Sequence, residues 1–411
     1  MTRTAGERVD AIVVGARCAG SAAAAALARA GRRVVALDRV AFPADTISTH
    51  LIWPGGVAEL QALGALERVR ALGAPPLPLA LAGAGELEIR GDYTPVDGID
   101  HALCVRRPGL DAALVATARA AGAEIRERCA VTELVHLAGR VAGVRCRDAD
   151  GGEYELRAPL VVGADGRRST VARLAGAQRP YRERPSGRAC FFAYWEDGRP
   201  DWRSTAAQWR EGAELGTAFP CDGGLLLVLL QPPAARAGAF RADLAGEYAR
   251  TVASIPGLAE RLRGCHQATK VRSATGIASY FRHSSGPGWA LAGDAGHFKD
   301  PVTAQGIRDA LRYGRRLGEA AAPLLEDPAA LDRALRAWER ERERDCLEVY
   351  QWTNLLARGE PLSPLEAELY RAASQDALLA RRMADVFARS ARSSAAGSSS
   401  SGAAASPRRR P

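Results

Sequence analysis

The 411-residue sequence predicts an α/β fold: a parallel sheet wound by helices, an inserted β-meander, an additional α+β domain and a helical C-terminal segment. Three observations carry that reading. Short, largely apolar runs recur at residues 9–14, 34–37, 160–163 and 289–292, as expected of strands buried on both faces, and glycine or aspartate stands within two residues after each. Residues 123–158 break into short β segments separated by Ala138-Gly139 and by 148–152, which are hairpin signals. Residues 328–390 read as helix throughout.

The first unit is the most informative. Residues 9–14 form a strand, Gly15-Ala16-Arg17-Cys18-Ala19-Gly20 a glycine turn, and residues 21–29 an alanine-rich helix that must pack tightly. Gly31 breaks that helix, and a second strand, 34–37, ends at Asp38. Asp38 follows Gly15 by 23 residues, the spacing at which an acid bonds a ribose hydroxyl. The unit is therefore shaped for a dinucleotide, with the pyrophosphate at the helix N-terminus. Arg17 stands where the G-x-G-x-x-G pattern has its middle glycine. Two readings follow: Arg17 turns outward and pairs with the pyrophosphate, or the site is weakened.

Further along, residues 54–64 read as a short helix ending at glycine, and residues 74–100 as an excursion into another sheet. A helix over 109–121 follows Pro108, which suits a first helical turn. The strand 160–163 leads into Ala164-Asp165-Gly166-Arg167-Arg168-Ser169-Thr170. Residues 178–285 read as strands with a helix near 241–263 and gather aromatic residues, among them Trp195, Trp202 and Trp209, which are at least as readily core as a pocket wall. The strand near 289 leads into Gly293-Asp294-Ala295-Gly296-His297, and a long helix runs over 306–322. From Ser393 onward the Ser/Ala/Gly-rich chain reads as a disordered tail.

Composition excludes several classes. The formal charge is +9, carried almost entirely by arginine, with Lys270 and Lys299 the two lysines. No compact basic stripe with interleaved aromatics appears, so a nucleic-acid partner is not expected. The eight cysteines form no C-x-x-C pair, which argues against a metal site and for buried thiols in a reducing compartment. The first residues lack an apolar signal core, and no apolar run reaches transmembrane length. The expectation is a cytoplasmic protein, with peripheral membrane contact left open.

Taken in order, Gly15–Gly20, Gly163–Ser169 and Gly293–His297 continuing into Pro301-Val302-Thr303-Ala304-Gln305-Gly306-Ile307 resemble the flavoprotein monooxygenases of the para-hydroxybenzoate hydroxylase type and their relatives, the geranylgeranyl reductases and flavin-dependent halogenases. The resemblance spans roughly residues 8–325. It implies a Rossmann-like FAD-binding domain of the glutathione-reductase type made of residues 8–73, 101–177 and 286–325. It further implies a substrate domain of residues 74–100 and 178–285, C-terminal helices over 326–390 and a tail over 391–411. The cofactor contacts carried over are Gly15, Arg17, Cys18, Ala19 and Gly20 at the pyrophosphate, with Asp38 and Arg39 at the adenosine ribose. Arg107, with Arg106 as fallback, stands near the phosphates. Asp165 lies where FAD and a visiting nicotinamide meet. Gly293 and Asp294 face the ribitol chain, and Pro301, Thr303, Ala304, Gln305, Gly306 and Ile307 the flavin pyrimidine. A helix N-terminus there stabilises the anionic reduced ring. Ala304 stands where relatives often carry glycine, at little cost if its φ is negative.

No protein nucleophile is required. His50 and His297 are the two acid/base candidates, each read more simply as bonding loop backbone. Lys299 is read as a solvated loop residue. One dinucleotide fingerprint implies that NAD(P)H visits the flavin, or that a separate flavin reductase supplies it reduced. The leading reaction is hydroxylation or epoxidation of a small aromatic or polyketide-like molecule through a flavin C4a-hydroperoxide. The runner-up is reduction of a carbon–carbon double bond, as in the prenyl reductases. Halogenation is disfavoured because no lysine precedes residue 270 and no W-x-W-x-I-P run occurs. A non-catalytic escort protein that binds lipid and a partner on the same fold is the reading from another class.

Overall fold

The computed structural model describes residues 6–389; the tail expected beyond residue 391 lies outside them. Its centre is a sheet in which Trp289–Leu291, Leu160–Gly163, Ala11–Val14, Val34–Leu37 and Glu124–Arg126 pair in parallel, in that order. The antiparallel edge strand Ser285–Gly286 completes it. Every residue of the three inner strands is buried, which explains the continuous apolar runs. The register decides function. Gly163 pairs with both Val14 and Leu291, and Val14 with Leu37. The loops after three separate strands therefore leave the same carboxyl edge side by side, where open α/β sheets bind ligands.

The helix Cys18–Arg29 is buried from Cys18 to Leu27 and packs against Gly306–Ala321. Two glycines allow that approach. A Cβ on Gly318 would stand 2.7 Å from Ala26 Cβ and 2.8 Å from the Ala23 carbonyl oxygen, and one on Gly314 would overlap the Ala19 carbonyl. Small residues on both helices thus tie the first motif to the last.

The meander is a four-stranded sheet ordered Glu7–Arg8, Glu153–Arg157, Arg140–Arg147, Ala130–Leu137. A separate eight-stranded sheet contains Cys190–Glu196, Leu225–Leu230, Glu214–Pro220 and Thr205–Glu211, and then Leu79–Ala84 and Leu87–Asp92. Leu79–Ala84 joins Thr205–Glu211 in parallel, so the excursion at 74–100 is a pair of strands borrowed by this sheet. One face of the sheet packs on Ala237–Ala242, Leu244–Ala253 and Pro256–Arg261, where a single helix was expected near 241–263. Trp209 is buried there, and Trp195 and Trp202 pack against the same core, so the tryptophans belong to packing.

The C-terminal segment is three helices, Pro328–Leu356, Pro364–Gln375 and Ala377–Ala388. The last lies across Leu87–Asp92: Arg381 pairs with Asp92, and a Cβ on Gly91 would come within 2.9 Å of the Ala380 carbonyl oxygen. Among the described residues, no helix is long and apolar enough to cross a membrane. All eight cysteines are buried free thiols.

Candidate cofactor cleft and active site

The three motifs touch. Gly15 has φ +96°, and a Cβ on it would stand 2.9 Å from the Asp165 amide nitrogen and closer still to the Ala164 carbonyl. Gly293 has φ +58°, and a Cβ there would lie 2.8 Å from that of Ala19. Both positions demand glycine on conformation as well as on space. The helix Cys18–Arg29 opens without a side-chain cap, so its first-turn N–H groups, those of Cys18, Ala19 and Gly20 among them, lack intrahelical acceptors and suit an anion. Asp38 is buried and accepts from the amides of Ala16 (2.8 Å) and Val40 (3.1 Å). Each carboxylate oxygen keeps a lone pair for a ribose hydroxyl. Arg39 beside it is exposed and makes no hydrogen bond with the described residues.

The expectation for Arg17 needs correction. Its guanidinium pairs with Asp111, donates to the carbonyls of Ala44 (3.0 Å) and Asp45 (3.3 Å), and covers the Phe42 ring. Arg17 therefore clips the 42–45 loop to the helix Arg107–Ala120. The same Asp111 holds Arg107 through two N–H donors at 2.8–3.2 Å, and the Cys18 thiol at 3.5 Å. Two arginines on one fully buried carboxylate leave net positive charge beside the uncapped helix, as a pyrophosphate requires. Arg106 turns the other way: its backbone N–H and Nε both donate to Asp222, next to the second sheet. Asp111 was not singled out in the sequence, although Arg107 and Asp111 at i,i+4 is a readable charge pair.

The two aspartates of the later motifs divide their roles. Asp165 turns inward, accepting from Ser169 Oγ (2.5 Å) and the amides of Thr170 (2.6 Å) and Val171 (3.2 Å). What it gives the cleft is loop shape, with Gly166 (φ +79°) at an open tip that nothing approaches. The Asp294 carboxylate accepts no hydrogen bond from the described residues; only its backbone oxygen is used, by Tyr280 (2.6 Å). Burial pushes its pKa up, against the charges of His297, Arg167, Arg107 and Lys299. An unpartnered carboxylate facing the three-loop cleft fits the hydroxyls of a ribitol chain.

The last motif forms a turn, Pro301–Thr303, capped by Asp300 on the Val302 amide (2.9 Å). Ala304 follows at φ +52°, in the left-handed region, so the condition for a low cost, a negative φ, is not met. Ala304→Gly is expected to stabilise the protein by about 1 kcal/mol, the cost of a Cβ in that conformation, read as a higher melting temperature; an unchanged melt would show that the turn relaxes. Trp53 Nε1 donates to the Thr303 carbonyl (2.9 Å), Thr303 Oγ1 bonds Thr353 Oγ1 (2.8 Å), and Gln305 Nε2 donates to the Phe387 carbonyl (2.8 Å). The helix Gly306–Ala321 then starts with no side-chain cap, and a Cβ on Gly306 would meet nothing within 4 Å. Ile307 is buried behind it. An open helix N-terminus with vacant space in front fits a flavin pyrimidine.

Neither candidate histidine bonds loop backbone through its ring. His50 is fully buried at φ +63°; its Nε2 lies 2.7 Å from the Tyr194 hydroxyl and its Nδ1 has no partner. Burial first, then the Arg107 charge, lowers its pKa to about 4. The imidazole is therefore neutral in the folded protein at pH 7. Unfolded, it takes up a proton below about 6.5, so stability falls as pH drops from about 6.5 to about 4, by about 3 kcal/mol in total. His50→Gln is expected to remove that share of the acid sensitivity, measured as urea midpoints at pH 7.5 and 4.5. An identical pH dependence in the variant would contradict it.

His297 is stacked on Phe281, with Nε2 3.1 Å from Lys299 Nζ. Lys299 is buried, not solvated as expected: it pairs with Asp309, which also meets Arg308 (2.9 Å) and Arg389 (3.4 Å). Burial would raise the Asp309 pKa, but Lys299, His297 and the arginines hold it well below the usual carboxylate range. His297, Asp309 and Cys346 bring possible metal-ligand atoms within 4.8 Å of one another. The Lys299 ammonium already sits on two of them and supplies the positive charge.

Comparison with known proteins agrees with this geometry. Residues 8–353 match the family model described as "FAD binding domain". The chain is 32% identical over 343 residues to the menaquinone reductase of Mycolicibacterium smegmatis, covering 79% of this chain and 78% of that protein. It is 30% identical over 360 residues to digeranylgeranylglycerophospholipid reductase 2 of Methanopyrus kandleri, covering 81% and 82%. Over 178 residues it is 36% identical to the 6-methylpretetramide 4-monooxygenase of Streptomyces rimosus, covering 42% and 41%. The chain belongs to the FAD-binding domain family of flavoprotein monooxygenases and their reductase relatives. It is an FAD-dependent oxidoreductase.

Proposed function

We propose that this enzyme reduces a carbon–carbon double bond in an apolar, isoprenoid-like substrate, with NAD(P)H as the source of electrons. The eight-stranded sheet is the substrate domain in this reading. The observation that carries it is an apolar pocket, open at its mouth, between that sheet and the helix Ala377–Ala388. Its walls include Trp53, Leu81, Ile89, Phe219, Met383 and Phe387, with no charged side chain. Trp53 joins this chamber to the flavin loop through its bond to Thr303. Apolar walls of this kind receive an alkene at little desolvation cost.

When bound, reduced FAD supplies a hydride to one alkene carbon. The chain must then deliver a proton to the other. Tyr194 belongs to the same apolar cluster as Trp53, Phe219 and Ala304, and burial pushes its phenol above the usual range, so it stays protonated. Its hydroxyl lies 2.7 Å from His50 Nε2, which holds the phenol in place, and the proton it gives to the alkene carbon would be replaced from water once product has left. Asp38, Asp294, Arg107 and the open N-termini at Cys18 and Gly306 would hold the cofactor along its length.

Hydroxylation, the leading expectation from sequence, becomes the second reading. Both reductase relatives align along about four-fifths of the chain, the substrate-binding sheet included in that length, whereas the monooxygenase aligns along less than half. Its 36% identity within that stretch is the observation that favours it. FAD-loaded protein incubated with NADPH or NADH and geranylgeraniol under argon separates the two. Product that has gained two hydrogens supports reduction. Turnover that requires oxygen and adds one oxygen atom overturns it. Turnover only after a flavin reductase is added would place the reductant on a partner.

A further inference from the structure

A second, smaller cavity adjoins the apolar chamber and shares Gln208 and Phe387 with it. Its wall carries Arg188, Gln208, Arg210 and Tyr370, and Val302 of the flavin loop. These polar groups are short of partners. Arg188 is only 2% exposed yet meets no carboxylate within ion-pair distance among the described residues. Its Nε donates to the Leu356 carbonyl (3.0 Å) and its Nη1 to those of Ala213 (2.8 Å) and Gln231 (2.6 Å), which leaves Nη2 without a hydrogen bond. Arg210 donates from Nη2 to the Glu360 carbonyl (2.7 Å) and stands 3.5 Å from Glu366, while its buried Nε has no partner. The Gln208 amide and the Tyr370 hydroxyl make no hydrogen bond with the described residues.

Two guanidinium groups so close repel each other, and burial, then Arg210, lowers the Arg188 pKa to about 10. Glu366 answers the charge of Arg210, but that of Arg188 meets no carboxylate among the described residues, and a native chain does not leave buried positive charge beside convergent free donors without cause. A guanidinium fork is the donor geometry that carboxylates and phosphates match.

We propose that this cavity is an anion subsite, and that the substrate is an amphipathic anion whose apolar chain lies in the larger chamber and whose carboxylate or phosphate group is held by Arg188, Arg210, Gln208 and Tyr370. The inference rests on the reductase reading for its apolar chain. The shared residues Gln208 and Phe387 set the head beside the tail, and Val302 sets both beside the flavin loop.

The test is calorimetric titration of the FAD-loaded, oxidised protein with dodecanoate, dodecyl phosphate and dodecanol, each below its micelle concentration. At least one anion is expected to bind about tenfold or more tightly than the alcohol, the scale of a hydrogen bond to a charged group. Which of the two does so tells carboxylate from phosphate. Arg210→Gln is expected to erase the preference while leaving dodecanol binding unchanged. Arg188→Gln risks misfolding because Arg188 ties three carbonyls together, so Arg210→Gln and Tyr370→Phe are the deciding variants. Equal binding of all three probes, or a preference that survives Arg210→Gln, overturns the proposal. No reductant is present, so this result is independent of whether the enzyme reduces or oxygenates its substrate.

Discussion

Asp309→Ala is expected to destabilise the protein by about 3–5 kcal/mol, the cost of breaking a buried ion pair from one side. The reason is the crowd around that carboxylate. Lys299 and Arg308 are almost wholly enclosed, Arg389 reaches in from the C-terminal segment, and His297 lies 3.6 Å away. Removing the one anion leaves these groups facing each other in a dry interior. The effect should reach the cleft, because Asp309 sits in the first turn of the helix whose uncapped end is the proposed flavin site, and Lys299 begins the loop leading to Pro301. Urea unfolding of FAD-free protein checks it. Adding Lys299→Met to Asp309→Ala should recover part of the loss, since an unpaired ammonium is then gone. A cost below about 1 kcal/mol for Asp309→Ala would show that water reaches the cluster and screens it.

Asp111→Asn is expected to cost a similar amount in FAD-free protein, about 3–5 kcal/mol, and distinctly less in FAD-loaded protein. Asp111 has no exposed surface and neutralises one of the two arginines on it. Without its charge, Arg17 and Arg107 repel across the mouth of the uncapped helix. A pyrophosphate docked at that helix would restore opposite charge, so the variant gains more from cofactor binding than the parent does. Thermal melts with and without saturating FAD measure both gaps. Equal penalties in the two states would show that the pyrophosphate does not lie at this cluster.

Much of the architecture was legible in the sequence because apolar burial writes itself locally. Runs such as Ile12-Val13-Val14 and Leu160-Val161-Val162 have no surface to spare for polar residues, and they became the buried parallel strands. Glycines 15 and 293 were legible for the same reason, since no side chain fits where one loop crosses another. The helix boundaries near 241–263 were less so, because Asp243 and Pro256 cut that stretch into short pieces.

Polar roles were harder to read. Arg17 faces Asp111, 94 positions away, and His50 faces Tyr194, 144 positions away. Asp165 caps its own loop while Asp294 stands open, although both follow a buried strand and both precede a turn. Lys299 is buried because a carboxylate from the next helix meets it. By itself, then, the sequence determined where the chain is strand, helix or tight turn, and that it holds a dinucleotide, since these depend on hydrophobic period and on backbone sterics within a few residues. Only the tertiary structure decided which charge answers which, and hence which groups remain free to meet a ligand. The pairing of buried charges depends on the register and packing of distant elements, and burial makes each pairing strong enough to matter.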